Sequence, residues 1–221
     1  MKLPRPVAGV VFDMDGLLID TEAVWRDVQL AEAEAQGLDL PMTVVQSMIG
    51  LPWQVNRRQL QDHFGPDFDV EAFVRAIVLR HDAVCLAGVS VKAGAVELLD
   101  LLDALNLPRA IATSSDRHVV SDRLGPAGLL DRFHVVIGNE DCTRGKPHPE
   151  PYLNAARAMG VAPADCLALE DSYNGVRSAH AAGMMTVMVP DLLPPTPEIG
   201  GLCVAVAETL HQVREALARQ I

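Results

Sequence analysis

The run Val7-Ala8-Gly9-Val10-Val11-Phe12 is continuously apolar and rich in β-branched residues. Such a run predicts a strand buried on both faces, as in a parallel sheet. Asp13-Met14-Asp15-Gly16 ends it with charge and glycine. No comparable strand pattern follows until about residue 90. Residues 23–36, rich in Ala, Glu and Gln, predict a helix with Gly37 as its C-cap. Residues 43–49 predict a short helix closed by Gly50, and 53–64 and 70–83 predict two more, separated by Gly65-Pro66-Asp67.

From Val91 the pattern changes. Ala95, Leu98, Leu99, Leu102 and Leu105 follow the spacing of an amphipathic helix, which Pro108 ends. Strands at 109–113, 135–137, 166–169 and 185–189 alternate with helices at 116–124, 149–159, 174–182 and 208–218. The proline-dense segment 190–197 predicts a surface loop. Repeated β-then-α units indicate an α/β domain, a Rossmann-like parallel sheet with helices on both faces and right-handed crossovers. The early helical block reads as an inserted α-helical cap. The expected division is an α/β core of residues 1–20 and 90–221 and a helical cap of residues 21–89.

A length of 221 residues fits one domain carrying a modest insertion. Lys and Arg number 18 against 29 Asp and Glu, a net charge of −11. That balance argues against nucleic acid and against an anionic membrane surface, which both require clustered basic residues. It does not exclude a small anionic substrate, because net charge says nothing about a single pocket. Cys85, Cys142, Cys166 and Cys203 form no CxxC pair, which predicts reduced, mostly buried thiols in a reducing compartment. The N-terminal apolar run is too short for a secretory signal, and no stretch approaches the roughly 18 apolar residues of a membrane span. The expectation is a soluble cytoplasmic protein, monomeric by default.

Ligands of an open parallel sheet bind beyond the carboxyl ends of its strands. Asp13 and Asp15 follow the first predicted strand, and Thr113, Ser114 and Ser115 the second. Lys146 follows the third beyond a loop, and Glu170 and Asp171 the fourth. Each piece alone has a plain structural reading as a turn, a helix cap, a surface lysine or an acidic helix start. Their succession, each after a strand, carries the inference. Carboxylates so grouped call for a hard divalent cation, for which Mg²⁺ is the expected cofactor. The cation and Lys146 together suit a phosphate dianion, which points to metal-assisted phosphoryl transfer.

The segment Val10-Val11-Phe12-Asp13-Met14-Asp15-Gly16-Leu17-Leu18-Ile19-Asp20-Thr21-Glu22 resembles the first motif of the haloacid dehalogenase-like hydrolase superfamily. Ile111-Ala112-Thr113-Ser114-Ser115 resembles its second motif, Gly145-Lys146-Pro147-His148-Pro149 its third, and Leu169-Glu170-Asp171-Ser172-Tyr173-Asn174-Gly175-Val176 its fourth. The resemblance spans nearly the whole chain. It is greatest to the helical-cap subgroup and its β-phosphoglucomutase-like branch of sugar-phosphate phosphatases. It implies a cap that closes over the substrate, with Asp13 as nucleophile and Asp15 as general acid and base. It implies Thr113 and the Ser114 backbone N–H as phosphate ligands and Lys146 as charge neutraliser. Asp13, the Asp15 carbonyl and Asp171 would hold Mg²⁺, with Glu170 as a ligand or just behind the ligands.

The resemblance implies a phosphatase acting on a small phosphorylated metabolite, a sugar phosphate or something like a nucleoside monophosphate. The alternative within the superfamily is a phosphomutase. Where β-phosphoglucomutase carries a cap histidine and arginine, this chain has Trp25 and Leu51-Pro52-Trp53, so hydrolysis is favoured. The alternative of another class is a non-catalytic phosphate-ligand sensor, against which the intact set of motif residues argues. Glu22, Trp25, Trp53 and Arg117 are further candidates for contacting substrate.

Overall fold

The computed structural model describes residues 1–49 and 53–220, apart from the side chain of Trp53. The cap expected at Gly50, the Leu51-Pro52 pair and the Trp53 side chain therefore lie outside the described residues. The chain divides into two compact units, Met1–Asp20 with Ser90–Ile221, and Thr21–Val89.

The larger unit is built on six parallel strands among the described residues: β1 (Gly9–Phe12), β2 (Arg109–Ala112), β3 (Val135–Ile137), β4 (Cys166–Glu170), β5 (Met185–Met188) and β6 (Ala205–Val206). They lie in the order β3-β2-β1-β4-β5-β6. Val11 aligns with Ala110 on one side and Ala168 on the other. β1, β2, β4 and β5 are buried at every position, so both faces of the sheet are covered. This is why β1 reads as an unbroken apolar run, while β2, β4 and β5 each carry one buried polar residue, Arg109, Glu170 and Thr186. Val11, Ala110, Ala112, Cys166 and Ala168 form one core with residues of two helices, α7 (Glu150–Met159) and α8 (Tyr173–Ala181). The alternate residues Val10, Phe12, Ile111, Leu167 and Leu169 are equally buried and turn the other way. The other helices of this unit are α5 (Ala95–Ala104), α6 (Arg117–Leu124), α9 (Pro197–Leu202) and α10 (Leu210–Ala218).

The smaller unit holds α1 (Thr21–Ala35), α2 (Met42–Met48), α3 (Trp53–Phe64) and α4 (Val70–Ala87). Val28, Leu60, Phe73, Val74 and Ile77 are among its core residues. The Asp69 carboxylate caps α4 by accepting from Ala72 N at 2.9 Å. α4 runs a turn beyond the expected end at residue 83, because Cys85 continues the stripe of buried residues after His81, and Gly88 at φ 123° stops it.

The proline-dense segment differs from expectation at its end. Pro197 opens α9, with the Thr196 hydroxyl accepting from Ile199 N at 3.2 Å, the arrangement proline favours at a first helical position. α9 and the two-residue β6 are too short to leave a period in the sequence. The last helix starts at Leu210 rather than at residue 208. Cys142, Cys166 and Cys203 are free thiols, Cys166 buried and the other two half-buried, and the buried Cys85 Sγ lies 3.4 Å from His81 Nε2. No described helix is long and apolar enough to cross a membrane.

Candidate active site

The strand order reverses at β1, whose neighbours are β2 and β4. A crevice forms outside the carboxyl ends where successive connections leave in opposite directions. Asp13 and Asp15 follow β1 there, Glu170 is the last residue of β4 and Asp171 follows it. Asp13 N donates to Leu169 O at 3.0 Å, so the nucleophile candidate is fixed in the sheet's own hydrogen-bond ladder. The chain then turns at Gly16, whose φ of +80° disfavours a side chain. Space forbids one as well, since a Cβ on Gly16 would run into the Asp171 carboxylate.

Lys146 Nζ reaches both acidic segments, at 2.5 Å from Asp13 Oδ1 and 2.5 Å from Glu170 Oε1. All three side chains are buried. Glu170 is bound on both oxygens: Oε1 also accepts from the Tyr152 hydroxyl at 2.7 Å, and Oε2 from Ser172 N and Oγ at 3.2 and 2.9 Å. The Ser172 hydroxyl in turn accepts from Gly175 N at 3.1 Å, capping α8. Tyr152, Ser172 and Gly175 thus fix Glu170, and Glu170 fixes Lys146. Burial chiefly, then the Glu170 and Asp13 charges, hold the Tyr152 phenol well above its ordinary pKa of 10.0, so it remains a donor.

Gly175 leaves room for Glu170, because a Cβ there would overlap the Glu170 carboxylate. Gly→Ala inside a helix ordinarily stabilises by roughly 0.5–1 kcal/mol. For Gly175→Ala the sign is expected to reverse, with a loss of about 1–3 kcal/mol from overpacking and lowered activity as Glu170 and Lys146 shift. Denaturant titration beside kinetics checks this, and a gain in stability would contradict the packing argument.

Asp13, Glu170 and Asp171 bring carboxylate oxygens within 4.8 Å of one another, the metal-capable group among the described residues. With all three ionised, the carboxylates exceed the Lys146 ammonium by two negative charges, which one divalent cation would balance. Burial, with Glu170 and Asp15 adding to it, pushes the Asp13 carboxyl up to about 8, although Lys146 opposes the shift. Burial also lowers the Lys146 pKa, but Asp13 and Glu170 outweigh it and raise the value above 10.5. Burial and the neighbouring carboxylates thus oppose the Asp13 charge more than Lys146 offsets it. A divalent cation fits this site because it supplies the missing charge.

The second predicted segment delivers Thr113 buried, Ser114 exposed and Ser115 half-buried in the loop before α6. Ser115 N donates to Thr113 Oγ1 at 3.0 Å, and Ser115 Oγ donates to Asp15 Oδ2 at 2.9 Å. The Asp15 carboxylate also meets Arg123 Nη1 at 2.6 Å through Oδ1. Its side chain is thus engaged outside the Asp13–Glu170–Asp171 group. Arg117 sits in the first turn of α6 and donates from Nε and Nη2 to the Asp141 carboxylate, both at 2.7 Å. Glu22 and Trp25 belong to α1 in the smaller unit. Trp25 is half-buried against that unit's core and stacks on His81, with ring centroids 3.8 Å apart.

Sequence reasoning missed Tyr152, Ser172, Gly175 and Arg123. Ser172 with Gly175 three residues on at a helix start was a legible cap signal. The contacts of Tyr152 and Arg123 are tertiary and left no local signature.

A family model described as "Hydrolase: haloacid dehalogenase-like hydrolase" matches residues 7–183. A protein of Drosophila melanogaster named "Probable pseudouridine-5'-phosphatase" is 35% identical over 196 residues, covering 86% of this chain and 84% of that protein. Hexitol phosphatase B of Escherichia coli K12 is 32% identical over 204 residues, covering 86% of each chain. The crystal structure of a haloacid dehalogenase family hydrolase from Deinococcus radiodurans R1, with bound phosphate and sodium, superposes with a TM-score of 0.82 at 28% identity. That match covers 97% of this chain and 96% of the other.

Proposed function

The chain belongs to the haloacid dehalogenase-like hydrolase family, and from that premise we propose a Mg²⁺-dependent phosphatase acting through an aspartyl-phosphate on Asp13. Its substrates are small, hydroxyl-rich phosphomonoesters such as sugar phosphates or nucleoside monophosphates. The observation that carries this reading is the Asp13–Lys146–Glu170 contact beside Asp171 at the reversal of strand order. The names of the two relatives, a hexitol phosphatase and a pseudouridine phosphatase, support the substrate class. They do not favour the phosphomutase alternative.

In this mechanism the Asp13 carboxylate attacks phosphorus and the ester P–O bond breaks. Asp15 gives a proton to the departing alkoxide. Asp15 then takes a proton from water, whose oxygen attacks the phosphorus and releases Asp13 and inorganic phosphate. The Thr113 hydroxyl and the Ser114 backbone N–H donate to phosphoryl oxygens, and Lys146 neutralises charge that gathers on Asp13 and the phosphoryl group. The Asp13 and Asp171 carboxylates and the Asp15 carbonyl would hold Mg²⁺. Glu170, with both oxygens engaged by Lys146, Tyr152 and Ser172, orients them from behind. When bound, the cation supplies positive charge against the phosphoryl oxygens and keeps Asp13 ionised.

Phosphate release from sugar phosphates, nucleoside monophosphates and an aryl phosphate, with Mg²⁺ and with a chelator, tests the reading. Turnover on at least one phosphomonoester that stops with the chelator is expected. Absence of Mg²⁺-dependent turnover across the whole set would defeat it.

Thermal unfolding gives a second expected result. A carboxyl whose folded pKa is raised binds a proton more tightly folded than unfolded, so its contribution to stability declines as pH rises from 3.8 to about 8. Without cation, the melting temperature is expected to fall across the upper part of that window. Mg²⁺ should flatten the decline and add about 2.7 kcal/mol at a hundredfold excess over its Kd. Melting curves at several pH values, with and without Mg²⁺, measure both.

A further inference from the structure

We propose that Arg123 is a positioning residue that fixes the direction of the Asp15 carboxylate, a role that rests on the phosphatase reading above. Asp15 stands just before the turn at Gly16 by which the chain leaves β1. Two groups from the α6 region meet its carboxylate. Ser115 Oγ holds Oδ2 at 2.9 Å, and Arg123 Nη1 holds Oδ1 at 2.6 Å. The arginine and the aspartate are 108 residues apart in sequence.

The position of Arg123 on α6 makes this contact specific. Val120 and Leu124 are buried on the same helix, and residue 123 lies on the stripe beside them. The Arg123 side chain is only 11% exposed, so its charge is largely removed from water. A long cation on an inward stripe needs a compensating partner, and Asp15 supplies it. Residue 123 lies about 9 Å along the helix from Arg117, and its Cα–Cβ bond tilts back toward the helix N-terminus. The side chain therefore runs back toward the Thr113–Ser115 loop, where the substrate phosphate is placed. One helix thus carries the phosphate-binding loop at its start and the anchor for the proton-transfer group near its end. A bond to each oxygen restricts the ionised carboxylate to one orientation, the form in which Asp15 accepts a proton from the attacking water.

The test compares the full-length protein with Arg123→Ala, Arg123→Lys and Arg123→Met on an aryl phosphate with Mg²⁺. Inhibition by inorganic phosphate measures binding independently, and circular dichroism checks folding. Arg123→Ala is expected to lower kcat about 10²-fold, the scale of an ångström-level misplacement, with KM and phosphate inhibition changed by less than about threefold. Arg123→Lys should recover about tenfold of the loss, because charge returns without the guanidinium's reach, whereas Arg123→Met should recover none. In an Asp15→Asn background, Arg123→Ala should change kcat by less than about twofold, since residues acting as a unit are not additive. An unchanged or raised kcat in Arg123→Ala overturns the proposal. So does a loss that multiplies with Asp15→Asn, or one that appears equally in KM and phosphate binding, the sign of general structural damage. If Arg123→Ala does not fold, the Lys and Met variants decide by the same criteria. Absence of turnover in the parent protein defeats the phosphatase reading itself, whereas normal parent turnover with undiminished Arg123→Ala turnover defeats only the role of Arg123.

Discussion

Asp13→Asn is expected to lower kcat by about 10⁴-fold or more while leaving the protein folded, since removing a nucleophile leaves only positioning and binding. The amide is nearly the same size as the carboxylate and keeps one oxygen toward Lys146, but its nitrogen does not attack phosphorus. The stability effect is expected to run the other way. Burial and the neighbouring Glu170 push the Asp13 carboxyl up to about 8, so its charge costs folding free energy in the absence of a cation. Metal-free Asp13→Asn should therefore melt no lower than the parent at mildly alkaline pH, and Mg²⁺ should stabilise it less. Kinetics and melting on the same preparation separate loss of chemistry from loss of structure. Retained turnover in the variant would rule Asp13 out as the nucleophile.

Lys146→Met is expected to affect both stability and rate. The lysine side chain is 6% exposed and touches Asp13 and Glu170, whose side chains are 10% and 0% exposed. Removing it leaves two buried carboxylates without their cation, which costs about 3–5 kcal/mol. The loss should be largest without Mg²⁺ and should shrink at acid pH as the carboxylates take up protons. Turnover should fall by about 10²–10³-fold even with Mg²⁺, because a charged donor to the reacting group is gone. Lys146→Arg is not expected to restore it. The ammonium lies 5.2 Å from the centroid of the buried Tyr152 ring, and a planar guanidinium does not pack there as a compact ammonium does. Chemical denaturation with and without Mg²⁺, beside kcat, measures these effects. A Met variant as stable as the parent in chelator would show that the buried charges are compensated elsewhere.

The parts of this fold legible in the sequence were those in which one strand or helix carries its own signal. β1 stood out because a strand covered on both faces is apolar throughout, and the carboxyl ends of parallel strands meet on one edge of the sheet. Asp13, Glu170 and Asp171 could be read as neighbours from that rule alone, and Lys146 from its place after the third strand. β6 and α9 could not, because two and six residues are shorter than the periods that reveal a strand or a helix. The groups that hold the site together were hidden for a different reason. Tyr152 lies on α7 and Glu170 on β4, so only the packed core makes them partners. Arg123 is one polar residue among several on α6 until the fold brings Asp15 beside it. Gly175 marks the start of a helix in the sequence, but its need for no side chain shows only when the Glu170 carboxylate fills that space.

The central claim is a covalent phosphoryl group on Asp13. The direct measurement is to mix the protein with excess aryl phosphate and Mg²⁺, quench in acid within a turnover, digest, and locate the phosphoryl group by mass spectrometry. The account predicts one phosphoryl group on the peptide containing Asp13, absent in Asp13→Asn and in chelator, and more abundant in Asp15→Ala, where release is slowed more than formation with a good leaving group. Steady turnover with the phosphoryl group on another residue, or with none trapped even in Asp15→Ala, would contradict it.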